Sequence, residues 1–368
     1  MRIVLSANAA WNLAGFRRPI IDVMRARGDE VICVAPTGPE QFDLEMAGCR
    51  FVPIAIDAKG ANPLRDGRLM LSYLGVYRRL RPDVALHFTI KPVIYGSLAA
   101  RCLGVPVVNT ITGLGTAFLS GGLLKNVVEG LYRAALRHGS TVFQNADDLA
   151  LFRQRRLIAP KDGIAVSGSG IDLAAYRPVA LPRSRTTTFL MIGRMLRDKG
   201  VLEFVEAARM VGQGDRRARF QLLGPAGVAN RSAVAESTLS QWASDGVVEY
   251  LGECTDVRPA IAAADCIVLP SYREGMPRVL LEAAAMGRPM IASDVPGCRQ
   301  VVTDGMEGFL CRPRDAQSLA TQFHRFLTLD QSARERMGEA ARKKAVACFD
   351  AKAVAGTYLD LVNRISAD

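Results

Sequence analysis

No stretch of this sequence stays apolar and uncharged for the ~18–20 residues that a transmembrane helix needs, so any membrane contact is expected to be peripheral. The opening M-R-I-V-L-S-A-N has no basic head, long apolar core or small-residue cleavage site, and it reads as a first strand rather than a signal peptide. The eight cysteines (33, 49, 102, 254, 266, 298, 311, 348) include no C-x-x-C spacing, which argues against a zinc site or a redox motif. Several lie in apolar runs, such as Cys266 in D-C-I-V-L-P, where a free thiol packs as a small hydrophobe. A reducing cytosol is therefore expected. There is no D-x-D triplet to hold a divalent metal on phosphates, no short repeat and no low-complexity tract. No cofactor and no metal are expected.

With 368 residues, 49% hydrophobic and 23% charged, the chain has the composition of a folded protein with two cores. Its net charge of +11 is uneven. Residues 1–178 hold 22 Lys+Arg and 14 Asp+Glu, a net +8; residues 179–368 hold 25 and 22, a net +3. An anionic partner is expected on the N-terminal half: a membrane surface, a diphosphate-bearing acceptor or nucleic acid.

Short apolar runs alternate with longer amphipathic ones, which predicts parallel sheets covered by helices. Strands are expected at Arg2–Ser6, Glu30–Ala35, Arg50–Ile54, Val84–His87, Val105–Thr110 and Thr141–Gln144, with helices such as Phe16–Arg27 and Leu64–Arg81 between them. R-P-V-A-L-P-R-S-R-T (177–186) breaks the pattern and reads as a linker. A second set follows at Thr188–Ile192, Arg219–Leu223, Val248–Leu251, Cys266–Leu269, Met290–Ala292 and Gly308–Cys311, with helices including Val201–Val211, Leu280–Met286 and Ala316–Leu327. The expected architecture is α/β: two doubly wound Rossmann-like domains, 1–176 and 187–350, facing a central cleft, with a C-terminal helix (351–368) packing back on the first.

The strongest local signal is S-Y-R-E-G-M-P-R-V-L-L-E-A-A-A-M-G-R-P-M-I-A-S (271–293). Pro277 suits the first helical position, because its missing N–H had no intrahelical acceptor anyway. The free N–H groups there, with those of Gly275 and Met276, suit an anionic or hydroxyl-rich ligand. Glu274 and Glu282 are eight residues apart, about 12 Å along a helix, and carboxylates accept hydrogen bonds from vicinal diols. The plainer reading is two surface glutamates. A second signal is I-G-R-M-L-R-D-K-G (192–200), where Gly193 allows close approach and Arg194 and Lys199 bring cations to a sheet edge. Arg17, Arg18 and Lys91 are further cations at strand ends that suit an acceptor diphosphate; a generic basic surface is the alternative. His87 ends a strand and reads as structural rather than catalytic, while His138 and His324 read as helix-surface residues. G-L-L-K-N-V-V-E-G-L-Y-R-A-A-L-R-H (122–138) carries a helical apolar stripe from Leu123 to Leu136 that suits core packing or, with Lys125, Arg133 and Arg137, a lipid surface.

G-R-x-x-x-x-K-G followed by E-G-x-P-x-x-x-x-E-A-x-x-x-G-x-P resembles the donor-binding half of the family 4 glycosyltransferases, retaining enzymes of GT-B type. S-G-S-G-I-D-L-A-A-Y (167–176) is similar to that family's crossover segment. H-F-T-I-K-P-V-I-Y-G-S-L-A-A-R (87–101), V-N-T-I-T-G-L-G-T-A-F (108–118) and F-R-R-P-I-I (16–21) resemble the bacterial members that add N-acetylhexosamine, notably N-acetylgalactosamine, to an undecaprenyl-diphosphate-linked sugar. The resemblance implies that Arg194 and Lys199 bind the donor diphosphate, Glu274 the sugar and Glu282 the ribose, with Glu249, Leu251 and Gly252 near the base. Where many members carry a histidine after the fifth strand, this chain has Thr112, placed with the acceptor residues. The implied activity is transfer of a hexose-type sugar from a UDP-sugar with retention, in bacterial surface-glycan or protein-glycan assembly at the inner face of the plasma membrane. A non-hydrolysing UDP-sugar epimerase, a different donor such as GDP-mannose, and a nucleotide- or nucleic-acid-binding protein are the alternatives. T-G-L-G-T-A (112–117) lacks the third glycine of a dinucleotide fingerprint, and no aromatic-and-basic nucleic-acid module is visible.

Overall fold

The computed structural model describes residues 1–57, 62–113, 122–159, 161–212, 217–228 and 230–367, with the side chains of 122–124 and 366–367 outside that description. The chain forms two compact units, Met1–Ser169 with Ala351–Asp368, and Gly170–Asp350. Among the described residues no helix is long and apolar enough to cross a membrane.

In the first unit, β1 (Arg2–Ser6), β2 (Glu30–Ala35), β3 (Arg50–Pro53), β4 (Val84–Phe88), β5 (Val107–Ile111), β6 (Ser140–Phe143) and β7 (Gly163–Ala165) form a sheet in the order β3-β2-β1-β4-β5-β6-β7. Every pairing is parallel, for example Ile3 with Val31 on one side and with Val84 on the other. Ile3, Val4 and Leu5 are fully buried, because helices cover both faces of such a sheet. These helices are α1 (Ala10–Phe16), α2 (Arg18–Ala26), α3 (Gln41–Met46), α4 (Pro63–Leu80), α5 (Ser97–Cys102), α6 (Gly122–Ala135) and α7 (Ala146–Gln154), with a π-helix at Pro92–Gly96. The start of α4 is set by Asn62, whose side chain accepts from Leu64 N and Arg65 N, and by Pro63 in the first turn. Its end is set by Arg81 at φ +47, with Pro82 next. The helix expected over Phe16–Arg27 is α2, and a separate helix, α1, precedes it, with the break at Arg17 (φ −111).

In the second unit, β8 (Thr187–Ile192), β9 (Ala218–Leu223), β10 (Glu249–Tyr250), β11 (Cys266–Leu269), β12 (Met290–Ser293) and β13 (Gly308–Cys311) take the order β10-β9-β8-β11-β12-β13. Its helices are α8 (Val201–Gly212), α9 (Glu236–Ser244), α10 (Arg258–Ala263), α11 (Arg278–Ala285), α12 (Cys298–Val301), α13 (Ala316–Leu327) and α14 (Gln331–Cys348). α15 (Ala351–Ala367) then rejoins the first unit. It lays Val354, Ala355, Tyr358, Leu361 and Val362 into the core that holds Ile20, Ile21 and Met24 of α2. Each large apolar side chain so buried contributes about 1.5–3 kcal/mol relative to exposure.

The chain passes between units at Ser169–Gly170, earlier than the expected boundary, and residues 177–186 belong to the second unit. Arg288, fully buried, holds them: its Nη1 donates to Val179 O at 2.8 Å and its Nη2 to Ala180 O at 3.1 Å. Leu181 is buried as well. A segment without apolar periodicity is thus fixed through its backbone carbonyls by an arginine more than a hundred residues later.

Candidate active site

Each sheet reverses its winding between its first and fourth strands, and ligands of such folds bind at the carboxyl ends of those strands. In the second unit that point lies between β8 and β11, paired at Phe189 with Cys266. Past β8 come Gly193, the exposed Arg194 and a 3₁₀ turn at Arg197–Lys199. Gly200 closes this turn on the loop after β11. It has φ +79, and a Cβ there would lie 2.1 Å from the carbonyl oxygen of Pro270. Tyr272 N donates to Asp198 O at 3.0 Å and Tyr272 Oη to Glu203 Oε1 at 2.7 Å, which ties the two loops together.

The two predicted glutamates are held in similar ways. Lys199 Nζ meets Glu274 Oε1 at 2.5 Å, with the carboxylate side chain 11% exposed. The resemblance gave Lys199 to a diphosphate and Glu274 to a sugar; the structure adds that they pair with each other. Glu282, inside α11 and 7% exposed, accepts from Arg278 Nε at 2.9 Å and from Tyr176 Oη at 3.0 Å. Both donors converge on Oε1. Among the described residues the Oε2 atoms of Glu274 and Glu282 have no partner. Burial pushes the Glu282 carboxyl above its ordinary range, while Arg278 and Tyr176 pull it back. The Tyr176 hydroxyl is itself pushed up to about 12 by burial and by the Glu282 charge, so it stays a donor. Pro277 is the cap of α11, not its first helical residue; the helix starts at Arg278, and Pro277 O accepts from Leu280 N at 3.1 Å. Gly275 and the partly buried Met276 lie just before it.

At the neighbouring strand ends, Gly193 N donates to Leu223 O at 2.9 Å, Gly224 N to Gly252 O at 2.7 Å, and Tyr250 Oη to Gly224 O at 2.9 Å. Leu251 leaves 44% of its surface exposed beside them. Glu249 does not join this group. On the edge strand β10 its carboxylate accepts from Gln221 Nε2 at 2.8 Å and pairs with Arg219 at 3.1 Å, both neighbours on β9. Arg194, by contrast, is exposed and makes no side-chain hydrogen bond or ion pair among the described residues. One unpaired cation, a second cation bridged to a carboxylate, two open carboxylate oxygens and a helix N-terminus suit a ligand carrying both hydroxyls and phosphate.

The acceptor cations expected in the first unit are placed differently. Arg17 is 1% exposed, with its guanidinium 4.5 Å from the Phe88 ring centre, so it is a core residue and not a surface cation. Arg18 pairs with Asp22 one turn along α2 at 2.7 Å. Lys91 meets Asp66 Oδ1 at 2.6 Å, and Tyr95 Oη donates to Asp66 Oδ2 at 3.0 Å. Thr112 directly follows β5, partly exposed. His87 is fully buried between Tyr77 Oη (2.7 Å), Ser97 Oγ (3.1 Å) and Asn109 Oδ1 (3.0 Å), and burial lowers its pKa to about 4. It is a neutral structural histidine.

The stripe at 122–138 packs into the core over part of its described length. Tyr132, Ala135 and Leu136 are buried, Val128 and Leu131 pack beside them, and Val127 is exposed. The side chains of Leu123 and Leu124, and residues 114–121 of the T-G-L-G-T-A stretch, lie outside the described residues.

Three contributors went unassigned in the sequence. Tyr176 closes the crossover motif, but nothing in the local pattern ties it to Glu282. Gly297 (φ +80) lies against the loop: a Cβ there would sit 2.4 Å from Gly275 O. Thr89 adopts φ +70, a strained state for a β-branched residue, and its Oγ1 accepts from Asn8 N at 3.1 Å across the β1–β4 switch point. The V-P-G turn was the only available hint for Gly297; Thr89 had none.

Two family models match the chain, "Glycosyl transferase 4-like" over residues 2–146 and "Glycosyl transferases group 1" over 186–328. The N,N'-diacetylbacillosaminyl-diphospho-undecaprenol alpha-1,3-N-acetylgalactosaminyltransferase of Campylobacter jejuni is 26% identical, with 99% of each chain covered. A glycogen synthase of Mycobacterium tuberculosis is 30% identical, covering 81% of this chain and 72% of its own length. Among solved structures, Anabaena HepE in complex with UDP and glucose superposes with a TM-score of 0.80 at 18% identity, with 99% of each chain covered. With similarity on both halves and across its full length, this chain belongs to the family 4 glycosyltransferases, enzymes of the GT-B fold.

Proposed function

We propose that this glycosyltransferase moves an N-acetylhexosamine, such as N-acetylgalactosamine, from a UDP-sugar to an undecaprenyl-diphosphate-linked saccharide, with retention of configuration, in bacterial glycan assembly. The observation that carries this reading is the pair Glu274 and Glu282. Each carboxylate is fixed at one oxygen by a cation and open at the other, Glu274 in the loop that follows β11 at the switch point of the second sheet and Glu282 within the helix after it. Glu274 is assigned to the sugar hydroxyls and Glu282 to the ribose. Arg194, Lys199 and the start of α11 are assigned to the diphosphate, whose negative charge grows as the glycosidic bond breaks. Preorganised charges in such positions contribute several kcal/mol to a transition state. No side chain nearby among the described residues is an obvious base, so a leaving phosphate oxygen takes the acceptor's hydroxyl proton on the same face of the sugar. This charge set needs no metal. Full-length similarity to the Campylobacter enzyme supports the acceptor class.

The membrane contact is assigned to the first unit, at the cytoplasmic face. What supports this is its net +8 (residues 1–178) and the outer face of α4. That face exposes Leu64 and Leu71, 79% and 67% exposed, among Arg65, Arg68, Arg78 and Arg79. The deciding experiment incubates the enzyme with a panel of UDP- and GDP-sugars and a polyprenyl-diphosphate saccharide, with products read by mass spectrometry and their anomeric configuration by NMR. Transfer from UDP-N-acetylhexosamine with retained configuration is expected. An inverted product, or conversion of the donor alone to its epimer, refutes the reading.

A further inference from the structure

We propose that the groove between α1 and α3 is a subsite for the saccharide of the acceptor, with Trp11 as the surface on which a sugar ring stacks; this rests on the acceptor class proposed above. Trp11 stands in the first turn of α1, Asp43 in the first turn of α3, and Glu40 just before that helix. Both helices follow strands of a parallel sheet, so their N-terminal ends lie at its carboxyl edge, where such sheets hold ligands. The groove between them has a volume of about 470 Å³, with Arg18 and Met46 along its sides and Gly15 among its small lining residues. That volume falls in the range of small-molecule clefts, about 300–1,000 Å³.

Two features of the groove match the two chemistries of a sugar. Trp11 is 49% exposed, and it is braced edge-on by Phe16, with ring centres 5.4 Å apart at 87°. The brace sets the indole's orientation before any ligand arrives. A sugar ring presents a face of C–H bonds that covers such an indole and removes apolar area from water. Glu40 and Asp43 supply the second feature. Their carboxylates accept no hydrogen bond and pair with no cation among the described residues, so all their oxygens are available to hydroxyl donors.

Charge selects among occupants. Two unpaired carboxylates repel a diphosphate and an anionic lipid surface alike, and the one cation lining the groove, Arg18, is already paired with Asp22. An uncharged, hydroxyl-rich ligand fits; the diphosphate of the acceptor must lie elsewhere. Arg18 therefore contacts the saccharide side of the acceptor rather than its phosphates.

The test uses the full chain and Trp11 as its own reporter. The only other tryptophan, Trp242, is 9% exposed and gives a constant background. Titration with a free N-acetylhexosamine disaccharide should change the fluorescence saturably in the wild type. The double variant Glu40→Gln/Asp43→Asn, which keeps Trp11, should bind at least about 10-fold more weakly. In turnover, Trp11→Ala should raise the KM for the lipid-linked saccharide about 10-fold or more while the donor KM stays within about twofold. Trp11→Phe should fall between, because a smaller ring still stacks. Unchanged titration in the double variant together with unchanged acceptor KM in Trp11→Ala overturns the subsite. A fluorescence shift with vesicles of phosphatidylglycerol that exceeds any shift with the disaccharide also overturns it, in favour of membrane docking. If the wild type transfers no sugar to any lipid-linked saccharide yet binds the disaccharide through these residues, the acceptor class fails and the saccharide site stands.

Discussion

Replacing Tyr176 by Phe removes one hydroxyl and leaves the ring. That hydroxyl donates at 3.0 Å to Oε1 of Glu282, a carboxylate 7% exposed whose remaining held contact is Arg278 at 2.9 Å. A hydrogen bond to a charged group contributes about 1.5–3 kcal/mol, which corresponds to roughly a tenfold to hundredfold change in an equilibrium constant. Burial already raises the Glu282 pKa, and Tyr176 is one of the groups that lower it, so the variant must raise it further. The sign follows directly. A carboxylate with a raised pKa becomes neutral at a higher pH as acid is added. If the ionised form binds the donor ribose, donor KM rises on the acid side, and in Tyr176→Phe that rise begins at a higher pH. Turnover at saturating donor should change little, because the ribose is not altered in the reaction. The assay is donor KM and kcat from pH 5 to 8 for both proteins at saturating acceptor. Superimposable KM profiles would mean that Glu282 does not contact the donor in its charged form. A loss confined to kcat would place Glu282 at the reacting sugar and reverse the proposed donor orientation.

Arg194→Ala or Lys199→Ala should lower kcat/KM by at least ~100-fold with the fold intact by circular dichroism, since each removes a preorganised charge from the leaving group; near-normal turnover places the diphosphate elsewhere. Activity should survive EDTA, and a complete loss restored by Mg²⁺ would reveal a metal site. Glu274→Gln should mainly lower kcat and Glu282→Gln mainly raise donor KM, in steady-state kinetics of the two variants side by side. His87 titrates near 4 in the folded protein against 6.5 for an exposed histidine, so the unfolded chain binds its proton first as pH falls. Stability from His87 is full above pH 6.5 and declines by about 3 kcal/mol towards pH 4; urea unfolding across that window should show His87→Gln losing less stability than the wild type as pH falls.

The sheet strands were legible in the sequence because a parallel strand buried on both faces is an unbroken apolar run. V-L-S, V-I-C-V-A and C-I-V-L stand out without help. The features hidden in the sequence were those whose cause lies far along the chain. Arg17 sits among residues that look like a basic surface, F-R-R-P, yet the helix break turns it onto Phe88. Lys91 looks like an available cation until Asp66, on α4, is seen beside it. The segment 177–186 has the composition of a linker, and its contacts with Arg288 and Met286, far along the chain, make it part of the second unit. In each case residue type was informative, but the partner that decides its role is set by tertiary packing. The loop and helix at 270–285 were easier to place, because glycines, a proline and two acids at fixed offsets describe a local strand–loop–helix geometry.

The ion pair between Lys199 and Glu274 is what lets a partly buried lysine and carboxylate stand beside each other. A carboxylate 11% exposed without a counter-charge would be costly, and so would removing a lysine from water. Paired, they hold a defined geometry with one carboxylate oxygen free. On the donor assignment proposed above, the diphosphate would compete for Lys199 through stronger charge and the sugar hydroxyls would engage the free oxygen of Glu274, so the pair would be shared with the ligand rather than broken. The cost of organising the charge falls on folding, through Gly200, Tyr272 and Gly297, and not on the chemical step. That division accounts for two glycines and a tyrosine where the local structure needs close backbone approach, and it couples Glu274 to Lys199, because a variant of either also changes the charge felt by the other.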